Sequence, residues 1–78
     1  NPFNPSISIN FEINNLLNDA KLNIYDINGR LVENIYSGSF NPGKYSYKWA
    51  PLNVSSGKYF ISFESKDIIS VKEVVYLK

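Results

Sequence analysis

The chain has no cysteine, no histidine and no methionine. Without cysteine there is no disulfide scaffold, no zinc ribbon and no thiol nucleophile. Without histidine there is no His-based catalytic triad, no HExxH metalloprotease motif and no imidazole base near neutral pH. The chemistry left is that of Ser, Lys, Tyr, Asp and Glu, with no Thr or Gln. Charge is also scarce. Eight basic and seven acidic side chains leave a formal net charge of +1, too weak a field to argue for nucleic acid or an anionic membrane as partner. Long apolar runs are missing: the longest is Val74-Val75-Tyr76-Leu77, far short of the roughly 18 residues of a membrane-spanning helix. No segment reads as a signal peptide. The missing initiator methionine points to a piece of a longer protein.

What is present is aromatic and alternating. There are six Tyr, five Phe and one Trp in 78 residues, a length that supports one small domain spanning residues 1–78. Ile7, Ile9, Phe11 and Ile13 alternate with polar residues, the signature of a half-buried strand. Ala20, Leu22 and Ile24 alternate with Lys21, Asn23 and Tyr25 in a second strand, with Leu16-Leu17 in the loop before it. Asn28-Gly29 then predicts a hairpin with a type I′ turn, which needs positive φ at both central residues. The returning strand is expected over Leu31–Tyr36, with Ser37-Gly38 and Asn41-Pro42-Gly43 as turns. Tyr45, Tyr47 and Trp49 alternate with Lys44, Ser46 and Lys48. Ser55-Ser56-Gly57 ends a loop, and Tyr59, Ile61 and Phe63 form the next strand. A last strand is expected over Val71–Leu77, where Val71, Val75 and Leu77 share a side that also carries Glu73. Six or seven short strands at this spacing predict an all-β sandwich.

Candidate chemistry is sparse. Gly38 and Gly43-Lys44 imitate a phosphate-binding loop, but Tyr45 stands where Ser or Thr is needed and a strand follows instead of a helix. Asp26 and Asn28-Gly29 imitate a calcium loop, yet its twelfth position is Ser37, not Glu. The simpler reading is a turn, with Asn28, Gly29 and Gly43 as turn residues and Arg30 as a partner for Asp26. Tyr45, Tyr47 and Trp49 would either line a sugar platform or fill the core; alternating aromatics on one strand face favour the core. Lys72 and Lys78 flank the last strand as edge charges that block unwanted pairing, or as contacts for a partner. No nucleophile–base pair has a motif. The expectation is a domain that is not an enzyme and takes no cofactor or metal.

Five motifs in order carry a resemblance. They are Asn1-Pro2-Phe3-Asn4-Pro5-Ser6; Ile24-Tyr25-Asp26 with Gly29-Arg30-Leu31-Val32; Gly38, Gly43 and Trp49; Ser55-Ser56-Gly57-Lys58-Tyr59-Phe60; and Lys72 through Leu77-Lys78. Together they resemble the C-terminal sorting domain of the type IX secretion system of Bacteroidota, a pattern shared with the immunoglobulin-like domain of the flagellar hook-capping family. The resemblance implies a small immunoglobulin- or fibronectin-like sandwich of about seven antiparallel strands. It implies a non-catalytic sorting signal that directs an attached N-terminal cargo through the outer-membrane translocon, passing the periplasm on its way to the cell surface or medium. It implies two partners, the translocon and a surface processing protease, and a monomer with no nucleic acid and no membrane insertion. Motif density places recognition at Gly57, Tyr59, Lys72, Val74, Val75, Leu77 and Lys78. The alternative is an accessory binding or spacer module of an extracellular enzyme, carbohydrate being the candidate ligand.

Overall fold

The computed structural model describes residues 6–66 and 68–77. Six strands follow one another: β1 (Ile7–Ile13), β2 (Leu17–Asp26), β3 (Leu31–Phe40), β4 (Gly43–Trp49), β5 (Gly57–Ser65) and β6 (Ile68–Tyr76). They form two antiparallel sheets, β1-β4 and β3-β2-β5-β6. The fold is thus the expected all-β sandwich, with six strands among the described residues instead of about seven. One reason lies at Ser37-Gly38. This pair, expected to turn, stays inside β3, because the strand must continue to bring Phe40 into the core at 1% exposure. Gly38 faces Ala20 on β2, and a Cβ there would stand 2.9 Å from the Tyr36 hydroxyl. The glycine is needed for the Tyr36 ring to fold over its own strand, where its hydroxyl donates to the Ser39 carbonyl at 2.7 Å.

Alternation sets the faces as expected. Ile9 and Ile13 of β1, Ala20, Leu22 and Ile24 of β2, and Tyr59 and Ile61 of β5 are buried. Trp49, Phe40, Leu22 and Ile24 are the largest fully enclosed side chains. The core has two parts. One gathers Ile9, Leu22, Ile24, Trp49, Tyr59, Ile61 and Tyr76; the other gathers Ile13, Ala20 and Phe40. Phe11, Tyr36, Tyr47 and Phe63 pack against both. Phe11 sits at the junction, edge-on to Phe40 at 5.4 Å and stacked on Tyr45 and Tyr47 at 5.6 and 6.0 Å. Such ring pairs add to the area they bury, the means by which a small domain without disulfides holds together.

Three local expectations are corrected. Leu17 is not in the loop but opens β2, opposite Phe40. The Asn28-Gly29 turn is not type I′: Asn28 has no positive φ, and Gly29 alone does, at 80°. The loop has three residues. It is closed by the Gly29 N–H donating to the Asp26 carbonyl and the Asp26 N–H donating to the Arg30 carbonyl, both at 3.0 Å. The reason is Asp26, whose carboxylate accepts the N–H groups of Asn28 and Arg30 at 2.8 and 3.0 Å and favours the wider loop. The last strand begins at Ile68, because pairing with β5 extends from Gly57↔Tyr76 back to Ser65↔Ile68. Its inward residues are Val74 and Tyr76; Val71 and Val75 face out with Ile69.

The outer face of the large sheet is a polar ladder. Asn34 donates to Asn23 at 2.7 Å, Asn23 to the Tyr25 hydroxyl at 3.2 Å, and Tyr25 and Ser62 to the Glu64 carboxylate at 3.1 and 2.9 Å. Asn23 and Ser62 are the buried polar residues, and no buried side-chain polar atom among the described residues lacks a partner. No helix is long and apolar enough to cross a membrane among the described residues.

Candidate recognition surface

The residues expected to carry recognition fall into three groups. Gly57 and Tyr59 belong to the framework. Gly57 opens β5 opposite Tyr76. Tyr59 is buried, and its hydroxyl donates to the Ser55 carbonyl at 2.6 Å. Tyr76 does the same one loop-turn earlier, donating to the Pro51 carbonyl at 3.3 Å. Both rings pack on Trp49, at 5.2 and 5.6 Å between centroids. The three aromatics therefore fasten the 50–56 loop to the end of the core. The Ser55–Tyr59 motif acts from beneath, by fixing where that loop runs.

Val75 and Leu77 form the second group, on the outside. They are 55% and 68% exposed. Ile69 and Val71 continue the outward stripe of β6 at 76% and 57%. Among the described residues β6 is also an edge strand, paired with β5 alone. This stripe, apolar except at Glu73, lies on a strand with an edge unpaired among the described residues, a surface that proteins ordinarily blunt. The sequence reading missed Ile68 and Ile69, taking the strand to begin later. Their signal was present as the β-branched pair just after Ser65-Lys66-Asp67.

Lys72 and Val74 make the third group, on the inward side of β6. Val74 is half-buried against the larger core cluster. Lys72 stands beside it, opposite Ile61, and with Glu73 it puts one charge of each sign at mid-strand. Two copies of β6 aligned antiparallel about their centres would set Lys72 on Lys72 or Glu73 on Glu73, which disfavours self-pairing. Glu73 is held by Lys58 of β5 at 3.6 Å. Lys78 lies outside the described residues.

The turn residues have structural work. Asn28 and Gly29 lie in the first hairpin, and Gly43 opens β4 after the 41–42 link. The Tyr45 hydroxyl, donating to the Asn41 carbonyl at 2.6 Å, clasps that link. Asp26 makes an ion pair with Arg30 at 3.2 Å. The Arg30 backbone N–H foremost, then the Asn28 N–H and the Arg30 side chain, hold its carboxyl below the ordinary carboxylate value. These three donors occupy most of its lone pairs. Among the described residues no cluster of three or more metal-binding side chains occurs.

The alternating aromatics of β4 face inward. Trp49 is 1% exposed and its indole N–H donates to Glu33 at 3.1 Å. Burial pushes the Tyr47 phenol up from its ordinary value, with the neighbouring Tyr36 and Tyr45 adding to the shift. Tyr45, Tyr47 and Trp49 therefore do not form an exposed sugar platform.

A family model described as the secretion system C-terminal sorting domain matches residues 1–77. The chain belongs to the type IX secretion C-terminal sorting domain family. Comparison with curated proteins and with solved structures finds no significant match. The matched residues span both sheets and the exposed last strand. A sorting domain of this family is a C-terminal secretion signal and implies export of what it is attached to, to the cell surface or medium.

Proposed function

We propose that residues 1–78 form one folded signal, attached to an N-terminal cargo and read by the type IX translocon through its last strand. The observation that carries this reading is the outward face of β6, where Ile69, Val71 and Val75 are more than half exposed on an unpaired edge. A translocon subunit that pairs with this edge gains main-chain hydrogen bonds, and pockets for alternate side chains supply selectivity. Val75 and Leu77 make the outer contacts in this scheme, with Lys72 and Val74 beside them; Lys78, outside the described residues, is proposed as a further contact. Gly57 and Tyr59 hold β5 and the 50–56 loop so that β6 keeps its register. The domain does no chemistry of its own. It travels through the periplasm folded and reaches the surface or medium with its cargo, where a surface processing protease is its second partner.

The test is a secretion assay. Residues 1–78 are fused to a fluorescent passenger carrying a periplasmic export signal, in a host with a working type IX system. Fluorescence at the surface or in the medium is expected, and its loss in a translocon-deficient strain. Retention of the folded fusion in the periplasm of the competent host overturns the reading.

A further inference from the structure

The two sheets differ in width. Among the described residues the small sheet has two strands and the large one has four. β4 lies over β3, as the Trp49–Glu33 hydrogen bond and the Tyr36–Tyr47 ring contact at 6.1 Å fix. β1 lies over β2 and β5, with Ile9 packed among Leu22 and Ile61 and Phe11 5.4 Å from Phe63. β4 reaches β6 at its end, where Trp49 packs on Tyr76 at 5.6 Å; over Ile68–Lys72 no strand of the small sheet lies above β6 among the described residues. Between β1 and the inward side of β6 there is a groove of about 440 Å³. Its floor is Leu22, Ile61 and Phe63, and its far wall is Ile68, Ser70, Lys72 and Val74.

We propose that this groove accepts an extended segment of a partner protein, which pairs with the free edge of β1 as a third strand of the small sheet. The near wall is built for it. β1 pairs with β4 along its whole length, from Ile7↔Trp49 to Ile13↔Gly43. That uses one row of its N–H and C=O groups, and the other row faces the groove with no strand partner among the described residues. The floor and walls choose the side chains. Residues pointing inward from an added strand meet Leu22, Ile61, Phe63 and Val74, so they are apolar at alternate positions. Lys72 hangs over the same groove and takes part in no ion pair among the described residues. It selects a carboxylate in the incoming segment. On the outer side the neighbour across the new ladder is Glu12, exposed on β1, which favours a basic residue there. The occupant is therefore an amphipathic strand with an acid toward β6 and a base or neutral polar residue outward. A second copy of this chain is a poor fit, because it would bring its own sandwich to a groove walled on both sides.

This rests on the sorting reading only for where the partner comes from. The test uses the full 78-residue chain and a displayed library of random twelve-residue peptides. Selected peptides are expected to alternate apolar and polar residues and to carry Asp or Glu. When bound, they should slow amide exchange across Ser8–Ile13. Ser70→Tyr, which narrows the groove from a strand-compatible position, should weaken binding at least tenfold while the chain stays folded by circular dichroism. Lys72→Glu should weaken acid-bearing peptides about tenfold and leave their amide-substituted versions unaffected. Peptides that protect β6 alone, peptides indifferent to both substitutions, or a peptide-free dimer that protects β1 would each overturn the proposal. The two readings separate cleanly: a fusion that is exported although no peptide enters the groove sinks the groove alone, and a groove that binds peptides in a fusion retained in the periplasm sinks the sorting mechanism alone.

Discussion

Tyr59→Phe and Val75→Glu separate framework from contact surface. The Tyr59 ring is 7% exposed and touches Trp49 and Tyr76. Phe preserves those contacts and removes only the hydroxyl that donates to the Ser55 carbonyl at 2.6 Å. A neutral hydrogen bond of this kind contributes about 0.5–1.5 kcal/mol. Ser55 is exposed, so water can satisfy its freed carbonyl, and the loss should sit near 1 kcal/mol. A domain of 78 residues has a total stability of about 4–12 kcal/mol. Losing about 1 kcal/mol of that leaves more than about 99% of molecules folded. Export of a Tyr59→Phe fusion should therefore match wild type, while amide exchange at Ser56 and Gly57 quickens. Val75→Glu is the reverse case. Val75 is 55% exposed and sits opposite Lys58, so a glutamate there gains a cross-strand partner and the fold loses less than about 1 kcal/mol. Its export should nevertheless collapse under the proposed reading, because a second acid joins Glu73 on the face proposed to meet the translocon. Urea denaturation gives the stabilities, and passenger fluorescence in medium against periplasm gives the export. A folded Tyr59→Phe domain that is not exported, or a Val75→Glu domain exported normally, would refute the division of labour.

Other outcomes follow from single sites. Trp49→Phe shrinks a side chain that is 1% exposed and strips Glu33 of its indole donor. It should cost about 2–4 kcal/mol by chemical denaturation, cavity and lost hydrogen bond together. Gly29→Ala meets no atom within 4 Å but must hold φ near 80°. The cost is conformational, about 1–2 kcal/mol, and Gly29→Asn should recover most of it in thermal melts. Asp26 has its folded pKa lowered, so its share of stability is complete above the ordinary carboxylate value and is lost as pH falls through the folded value. Melting temperatures of wild type and Asp26→Asn should differ most near neutral pH and converge in acid. A constant gap across that range would mean that charge plays no part in the hairpin.

Much of this protein was legible without coordinates. Period-two alternation set the inward residues of β1, β2, β4 and β5, because a side chain one position along a strand must point to the other face. The absent cysteines and histidines excluded whole classes of chemistry by inventory alone. The motif order, matched by the family model over residues 1–77, carried the functional class. Tertiary structure decided the rest. Ser37-Gly38 has the composition of a turn, and only the demand for Phe40 in the core keeps it in β3. Tyr59 lies in a dense motif, yet its burial beneath the 50–56 loop makes it framework. Val71 and Val75 are as apolar as any core pair, and only the pairing register with β5 turns them to solvent. The groove beside β1 was invisible in the sequence, since it arises from a count of strands in two sheets. Alternation states which residues share a face; the packing of one sheet on another decides which face is covered.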